Sequence, residues 1–447
     1  MTTFPIGMHA AARFTPDLPK VADVVVIGGG VIGVMAALFL AERGSRVVLC
    51  EKGRIAGEQS SRNWGWIRQQ GRDFAELPIM MESMALWQVF AARMPGLGFI
   101  QQGVVYAARS EAEMAGFEEW RAVAVGMGLE TQMQGQAALQ GMIPDHRAPW
   151  MGGLFTASDA RAEPWAAVPL LAQAAVQAGA VIAEDCAVRC LDRAGGRVAG
   201  VITEKGRIAC DQVVVAGGAW SSLFLAREGV GLPQLSVLAS VAATGPLPEV
   251  FAGNVADDRF AFRRRADGGY TIAPGASHDF FIGPDAFRHL RVFAPTLQRD
   301  FGSTHFRLMA PFGYPDAWGT NRRWSGDEIS PFENQRVLNP QPNLAELRKV
   351  AQRFAATFPK IGQPPIVASW AGMIDALPDV VPVVDRIADI PGLVVATGMC
   401  GHGFGIGPGF GRVIADLVLD RPVGHDLTRF RHARFSDGSA LRRGPSL

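Results

Sequence analysis

The segment Val24-Val-Val-Ile-Gly-Gly-Gly-Val-Ile-Gly33 limits the fold more than any other stretch of the chain. An uncharged β-branched run leads into Gly28-x-Gly30-x-x-Gly33 and then into an alanine-rich apolar stretch to about Gly44, which predicts a buried strand, a tight turn and a helix. Gly28 permits the turn, Gly30 lets the backbone approach a pyrophosphate, and Gly33 lets the helix pack closely on the strand, while the helix N-terminus faces phosphate charge. The next strand, Arg46 to Glu51, ends in an acid about twenty residues downstream, where a carboxylate accepts both ribose hydroxyls of an adenosine. Context of this kind predicts dinucleotide binding rather than a bare structural turn.

A second glycine-rich segment, Gly398-Met-Cys-Gly-His-Gly-Phe-Gly-Ile-Gly407, precedes a helix expected from about Pro408 to Asp420. Backbone N–H groups at such a helix start stabilise the negative charge that a reduced flavin carries near N1 and O2. The two segments together predict a flavin dinucleotide, because a nicotinamide cofactor alone would leave the C-terminal loop without a task.

With 447 residues, 48% hydrophobic, the chain has material for two or three domains. A net charge of +1 with 19% charged residues gives no global field for nucleic acid. The five cysteines, Cys50, Cys186, Cys190, Cys210 and Cys400, show no zinc or redox spacing, and their odd number argues against a disulfide framework; a reducing cytoplasm is expected, and no metal site. Val24 to Ala41 is eighteen residues without a charge and mimics a membrane span, but a strand and helix in phosphate-loop register explain it, so no transmembrane segment is expected. No signal peptide is evident, and residues 1–20 and 431–447 are expected to be loose termini.

Helical periodicity covers about Phe74 to Arg93 and Pro164 to Gly179, and Gly98 to Ala108 reads as a hairpin. Strands are expected near Val181 to Cys190, Val198 to Thr203 and Ile208 to Ala216, the last entering a second backbone-exposing turn at Gly217. Residues 21–75, 150–232 and 365–430 are expected to form one discontinuous domain, and 76–149 with 233–364 a substrate-binding domain.

Gly28-Gly-Gly-Val-Ile-Gly33, Glu51, Ser60-Ser61 followed by Gly65, Val213-Val-Val-Ala-Gly-Gly-Ala-Trp-Ser221 and Ala396-Thr-Gly-Met-Cys-Gly-His-Gly-Phe404 resemble the D-amino-acid oxidase superfamily, over about residues 21 to 425. The resemblance implies a mixed α/β fold: a Rossmann-like FAD-binding domain built from discontinuous segments, with an inserted, mainly antiparallel α+β substrate domain. It also implies FAD, non-covalent or covalent, with non-covalent attachment expected here, and oxidation of a carbon–nitrogen bond by hydride transfer to flavin N5, giving an imine that hydrolyses. Position by position, Gly28, Gly30, Val31, Ile32 and Gly33 would line the pyrophosphate and Glu51 the ribose, with Lys52 beside it. Ser60 and Ser61 would touch phosphate or ribityl, Gly65 and Trp66 would pass the flavin ring, and Val188 would meet the adenine. Gly401, His402, Gly403, Phe404, Gly405 and Ile406 would form the loop under the pyrimidine end.

Known substrate anchors of the superfamily are replaced here. Ile374 stands where glycine oxidase has a carboxylate-binding arginine, Gly405 where sarcosine oxidase has a lysine, and Thr271 near a lysine thought to help oxygen react. Guanidinium forks suit carboxylates, and 38 of the 43 basic residues are arginine, so Arg62 or Arg68 beside Trp64-Gly-Trp66 is expected to hold a substrate anion; a merely solvated loop is the alternative. His402 is a candidate for tuning the flavin, Asp375 for holding an ammonium, and Trp66 and Trp370 for apolar walls. Alternation places Arg263 and Arg265 on one face of a strand that is expected to face solvent. Cys400 is expected to be a buried, inert thiol.

The expected function is FAD-dependent oxidation of an amino acid or secondary amine bearing an anionic group, with O2 or an electron-transfer protein as acceptor. The alternatives are a flavoprotein subunit of a larger amine or opine dehydrogenase, and a non-catalytic flavin-binding or tRNA-modifying protein. A homo-oligomer or a hetero-complex is compatible with either enzyme.

Overall fold

The computed structural model describes residues 4–444. Val24–Ile27 is the buried strand that the fingerprint demands, and the helix Val31–Glu42 follows it. Six strands form a sheet in the order Val383–Arg386, Leu393–Thr397, Gln212–Val215, Val24–Ile27, Val47–Cys50, Val181–Ala183. All its pairings are parallel except that of the edge strand Val383–Arg386. Sequence-distant segments thus meet in one sheet, because parallel neighbours need long crossovers and the intervening chain is free to build other structure.

Two glycine positions show how the turn is made. Gly28 has φ +110°, and a Cβ there would lie 2.5 Å from the Ala216 carbonyl oxygen; a Cβ on Gly33 would lie 2.0 Å from the carbonyl oxygen of Gly28. Glycines also let the helix Gly403–Val418 lie against the 31–42 helix, since a Cβ on Gly411 would fall 2.4 Å from Met35 Cβ. That helix begins at Gly403, not at Pro408 as its sequence suggested. Pro408 sits inside it and removes one backbone bond, while the neighbouring carbonyl of Gly405 accepts from Ser83 Oγ at 2.7 Å and Trp87 Nε1 at 2.8 Å.

Ser83 and Trp87 belong to the helix Leu77–Arg93, which the sequence grouped with the substrate domain. Its packing on the 403–418 helix and in the same apolar core as Val31 to Ala41 puts it with the dinucleotide-binding sheet instead.

The second large sheet has Leu235–Thr244 pairing antiparallel with Tyr270–Pro274, His278–Phe281 and the long strand Ile366–Ala376. Phe260–Arg264 continues it, and Val104–Ala108, Gly152–Thr156 and Gln132–Gly135 complete it at one side. The helix Leu344–Thr357 covers one face through Leu347, Val350, Ala351 and Phe354. Gly98 to Ala108 is not a hairpin: Ile100–Gln101 pairs with Ala160–Arg161, whereas Val104–Ala108 pairs with Gly152–Thr156 and Asn254–Ala256. A left-handed Gly103 (φ +79°) hands the chain from one sheet to the other.

Two further expectations are corrected. Arg263 is not solvent-facing but fully buried, and both ends of its guanidinium fork donate to Glu163; Arg265 is buried and donates to the carbonyls of Tyr270 and Thr244. Nor are the described parts of the termini loose. Phe4 stacks on Trp165 at 4.4 Å, the Ile6 N–H donates to Ser61 Oγ, and Arg434 makes a buried two-pronged ion pair with Asp379 at 2.9 and 3.0 Å.

Candidate active site

A cavity of ≈ 630 Å³ starts at the C-terminal tips of Val24–Ile27 and Val47–Cys50, passes the N-terminus of the 31–42 helix, and opens between the two large sheets. This is where ligands sit in parallel sheets, at the carboxyl ends of strands. Gly28, Gly30, Val31, Ile32, Glu51, Lys52, Ser60, Val188 and Gly217 line it. Trp66, Arg68, Tyr106, Val241, Pro274, Ile374, Asp375, Gly401, His402, Gly403, Phe404 and Gly405 line it as well.

Each charged group on this surface has a distinct setting. Glu51 accepts from the Gly29 N–H at 2.6 Å and the Gly53 N–H at 2.7 Å, and burial pushes its carboxyl up to about 7 while Lys52 opposes the shift. Lys52 itself donates to Glu58 Oε1 and to the carbonyls of Gln335 and Arg336, which uses all three of its N–H bonds, and it lies over the Trp220 ring. It is therefore a strut with no donor left for a cofactor oxygen. Among the described residues, the N–H groups of Gly30 and Ile32 have no acceptor, while that of Val31 donates to Ser60 Oγ at 2.9 Å. Unsatisfied N–H groups at a helix start, with a neighbouring acidic strand end, fit a pyrophosphate and a ribose.

His402 is buried, and desolvation pulls its imidazole down to about 4 despite Glu76, whose Oε2 lies 3.7 Å from Nδ1. The ring is neutral at ordinary pH, while Arg72, beside it, donates to the His402 carbonyl at 3.0 Å. Asp375 is buried too: Oδ2 accepts from the Gly398 N–H at 2.8 Å, Oδ1 has no partner, and burial raises its pKa.

The two arginine candidates separate cleanly. Arg62 donates from Nε to the Gly57 carbonyl, from Nη1 to Ala371 and Asn339, and from Nη2 to Gly57 and Ile6. It ties its own segment to three others, at Ile6, Asn339 and Ala371, and has no donor left for a substrate. Arg68 uses only Nη1, on the Gln70 carbonyl, with its guanidinium 5.7 Å from the Tyr106 ring centre. Its Nε–Nη2 edge donates to nothing among the described residues, and Arg68 is one of the residues that line the cavity.

Several expected contacts lie elsewhere. Trp370 does not reach the cavity surface: its Nε1 donates to the Arg62 carbonyl, and Phe4 and Trp165 cover its ring. Ser61 Oγ faces Ile6, Ile406 is packed in the apolar core, and Gly33 and Gly65 act through close approach, Gly65 to the carbonyl of Ala162 at 2.5 Å from its would-be Cβ. Trp66 does line the cavity, 5.3 Å from Trp64 and 6.4 Å from Tyr106. Sequence reasoning missed Tyr106, Glu76 and Asp159. Tyr106 is one of only three tyrosines and sits in an apolar strand, which was a usable signal; Glu76 and Asp159 carry none.

The chain is similar to known proteins over most of its length. The model of the family described as FAD dependent oxidoreductase (DAO) matches residues 23–417. The structure of an L-amino acid deaminase from Proteus myxofaciens, in complex with anthranilate, superposes with a TM-score of 0.90 at 32% identity, covering 95% of this chain and 96% of that one. The sarcosine oxidase subunit beta of Rhizobium meliloti is 26% identical over 96% of this chain and 92% of its own length, and the glycine oxidase of Geobacillus kaustophilus 26% identical over 92% and 97%. With a family match over most of its length and a glycine cradle that fits the cofactor, the chain belongs to the FAD-dependent oxidoreductases of the D-amino-acid oxidase superfamily.

Proposed function

We propose that this enzyme oxidises the C–N bond of an amino acid or secondary amine that carries an anionic group, and that Arg68 seats the anion. The observation that carries the proposal is that Arg68 lines the cavity and its Nε–Nη2 edge has no acceptor among the described residues, a two-donor face that matches a carboxylate. FAD, when bound, supplies the hydride acceptor. Gly28 to Ile32, Glu51, Ser60, Val188, Gly217 and the 401–405 loop would hold it.

The chain's own residues do the rest by placement. Trp66 and Tyr106 wall the cavity beside Arg68, favour an apolar body next to the anion, and keep water from the reacting carbon. His402 stays neutral, so it adds no second positive charge against a substrate amine. Ile374 gives the wall an apolar surface where relatives carry a cation. The solved L-amino acid deaminase holds anthranilate, itself an aromatic carboxylate with an amino group, which is the class of ligand this wall would accept. Holoenzyme mixed anaerobically with neutral amines and with amino acids of matched size tests the proposal: flavin bleaching by the amino acids alone supports it, and equal bleaching by both overturns it.

A second reading, a flavoprotein subunit that passes electrons to a partner, is favoured by an exposed apolar patch. Phe287, Leu308, Met309, Phe312 and Trp318 stand out from the segment 284–318, with Phe312 96% and Leu308 84% exposed. Patches of this kind mark contact surfaces. Turnover by the purified chain with O2 or a small dye as the only acceptor would remove the need for a partner.

A further inference from the structure

We infer that Asp159 is a positioning residue for the substrate-anion anchor, acting on Arg68 through the loop that follows it. The inference rests on the proposed role of Arg68. Asp159 is fully buried in the turn between the strands Gly152–Thr156 and Ala160–Arg161. Its Oδ1 accepts from the Gln69 N–H at 2.6 Å and from Gln69 Nε2 at 3.2 Å, and its Oδ2 accepts from the Gln70 N–H at 3.2 Å.

Those amides belong to the two residues immediately after Arg68, and the Gln70 carbonyl is the single acceptor that fixes the Arg68 guanidinium. The loop is closed from other sides as well. Thr156 Oγ1 donates to Gln70 Oε1 at 2.8 Å, Arg72 Nε donates to the Arg68 carbonyl at 3.0 Å, and a left-handed Gly71 (φ +70°) passes Tyr106 so closely that a Cβ would lie 2.9 Å from Cε2. Asp159 is the only carboxylate bonded to this loop's amides among the described residues, and three N–H donors converge on its two oxygens. An amide there would turn an N–H against one of those donors. The carboxylate thereby sets where the Gln70 carbonyl points, and so which edge of Arg68 is tied down and which is presented to the cavity.

The test uses holoenzyme and two probes, anthranilate and its neutral amide 2-aminobenzamide, titrated by the change in flavin absorbance. Asp159→Asn is expected to weaken anthranilate about tenfold, the scale on which contacting groups couple, and to leave 2-aminobenzamide unchanged. In an Arg68→Ala background, Asp159→Asn is expected to add nothing. Equal weakening of both probes, or the same loss with and without Arg68, would show a general structural role and overturn the inference. If Arg68→Ala alone leaves anthranilate unchanged, the anchor itself is wrong; if Arg68→Ala weakens it and Asp159→Asn does not, only the positioning role falls. Asp159→Glu, which keeps the charge and moves the acceptors by one methylene, is held to the same comparison where the asparagine variant does not fold.

Discussion

Arg263 donates from Nη1 and Nη2 to the two carboxylate oxygens of Glu163 at 2.9 and 3.0 Å, with no part of the arginine exposed. Glu163 starts the helix Pro164–Gln177, which packs on the dinucleotide-binding sheet, and Arg263 lies on a strand of the other sheet, so the pair joins the two halves. Removing one partner leaves a buried, uncompensated charge. Glu163→Ala is expected to destabilise the protein by about 3–5 kcal/mol, measured by denaturant unfolding; a loss below about 1 kcal/mol would mean the pair is replaced by water.

The phosphate turn is intolerant of a side chain for a local reason. Gly28→Ala would force a Cβ against the Ala216 carbonyl at 2.5 Å and strain a backbone at φ +110°. The variant is expected to lose flavin during purification. Retention of stoichiometric flavin would show that the strand Gln212–Val215 can give way.

Arg62 and Arg68 are six residues apart and should fail differently. Arg62→Ala is expected to lower the thermal midpoint, since it releases the carbonyls of Gly57, Ile6 and Ala371. Arg68→Ala is expected to leave the midpoint nearly unchanged and raise KM by roughly 10–100-fold, the worth of a charge-assisted bond of about 1.5–3 kcal/mol. Thermal melts and steady-state kinetics on both variants separate the roles, and a reversed pattern would contradict them.

The flavin-free protein should show a pH signature from Glu51. Burial raises its folded-state carboxyl to about 7 from the ordinary 4.5, so the folded chain keeps a proton that the unfolded chain releases. That stabilising contribution is complete below about pH 4.5 and is lost as pH rises through about 7. Relative to Glu51→Gln, the wild-type midpoint is expected to fall between about pH 5 and about pH 8; parallel curves would mean that Glu51 titrates normally.

The sequence made the dinucleotide cradle legible because strand, turn and helix are local, and glycine spacing reports backbone geometry directly. The 403–418 helix was placed five residues late, since Pro408 is a local stop signal, and the distant Ser83 and Trp87 that bond the Gly405 carbonyl inside the helix leave no local trace. Arg62, Arg68 and Arg263 look alike in sequence. Their different tasks come from partners hundreds of positions away or in another lobe, such as Ala371 for Arg62 and Glu163 for Arg263. Trp370 shares the strand face of Gly372 and Ile374, yet Phe4 of the N-terminal arm covers it, which no periodicity could reveal.

Anaerobic mixing of holoenzyme, wild type and Arg68→Ala, with L- and D-amino acids, N-alkyl glycines and matched amines lacking an anionic group tests the central claim most directly. Rapid bleaching of wild-type flavin by one anionic class, lost in the Arg68 variant at low substrate concentration and restored at high concentration, is the predicted result. Bleaching that ignores the anionic group, or that is unaffected by loss of Arg68, would contradict it.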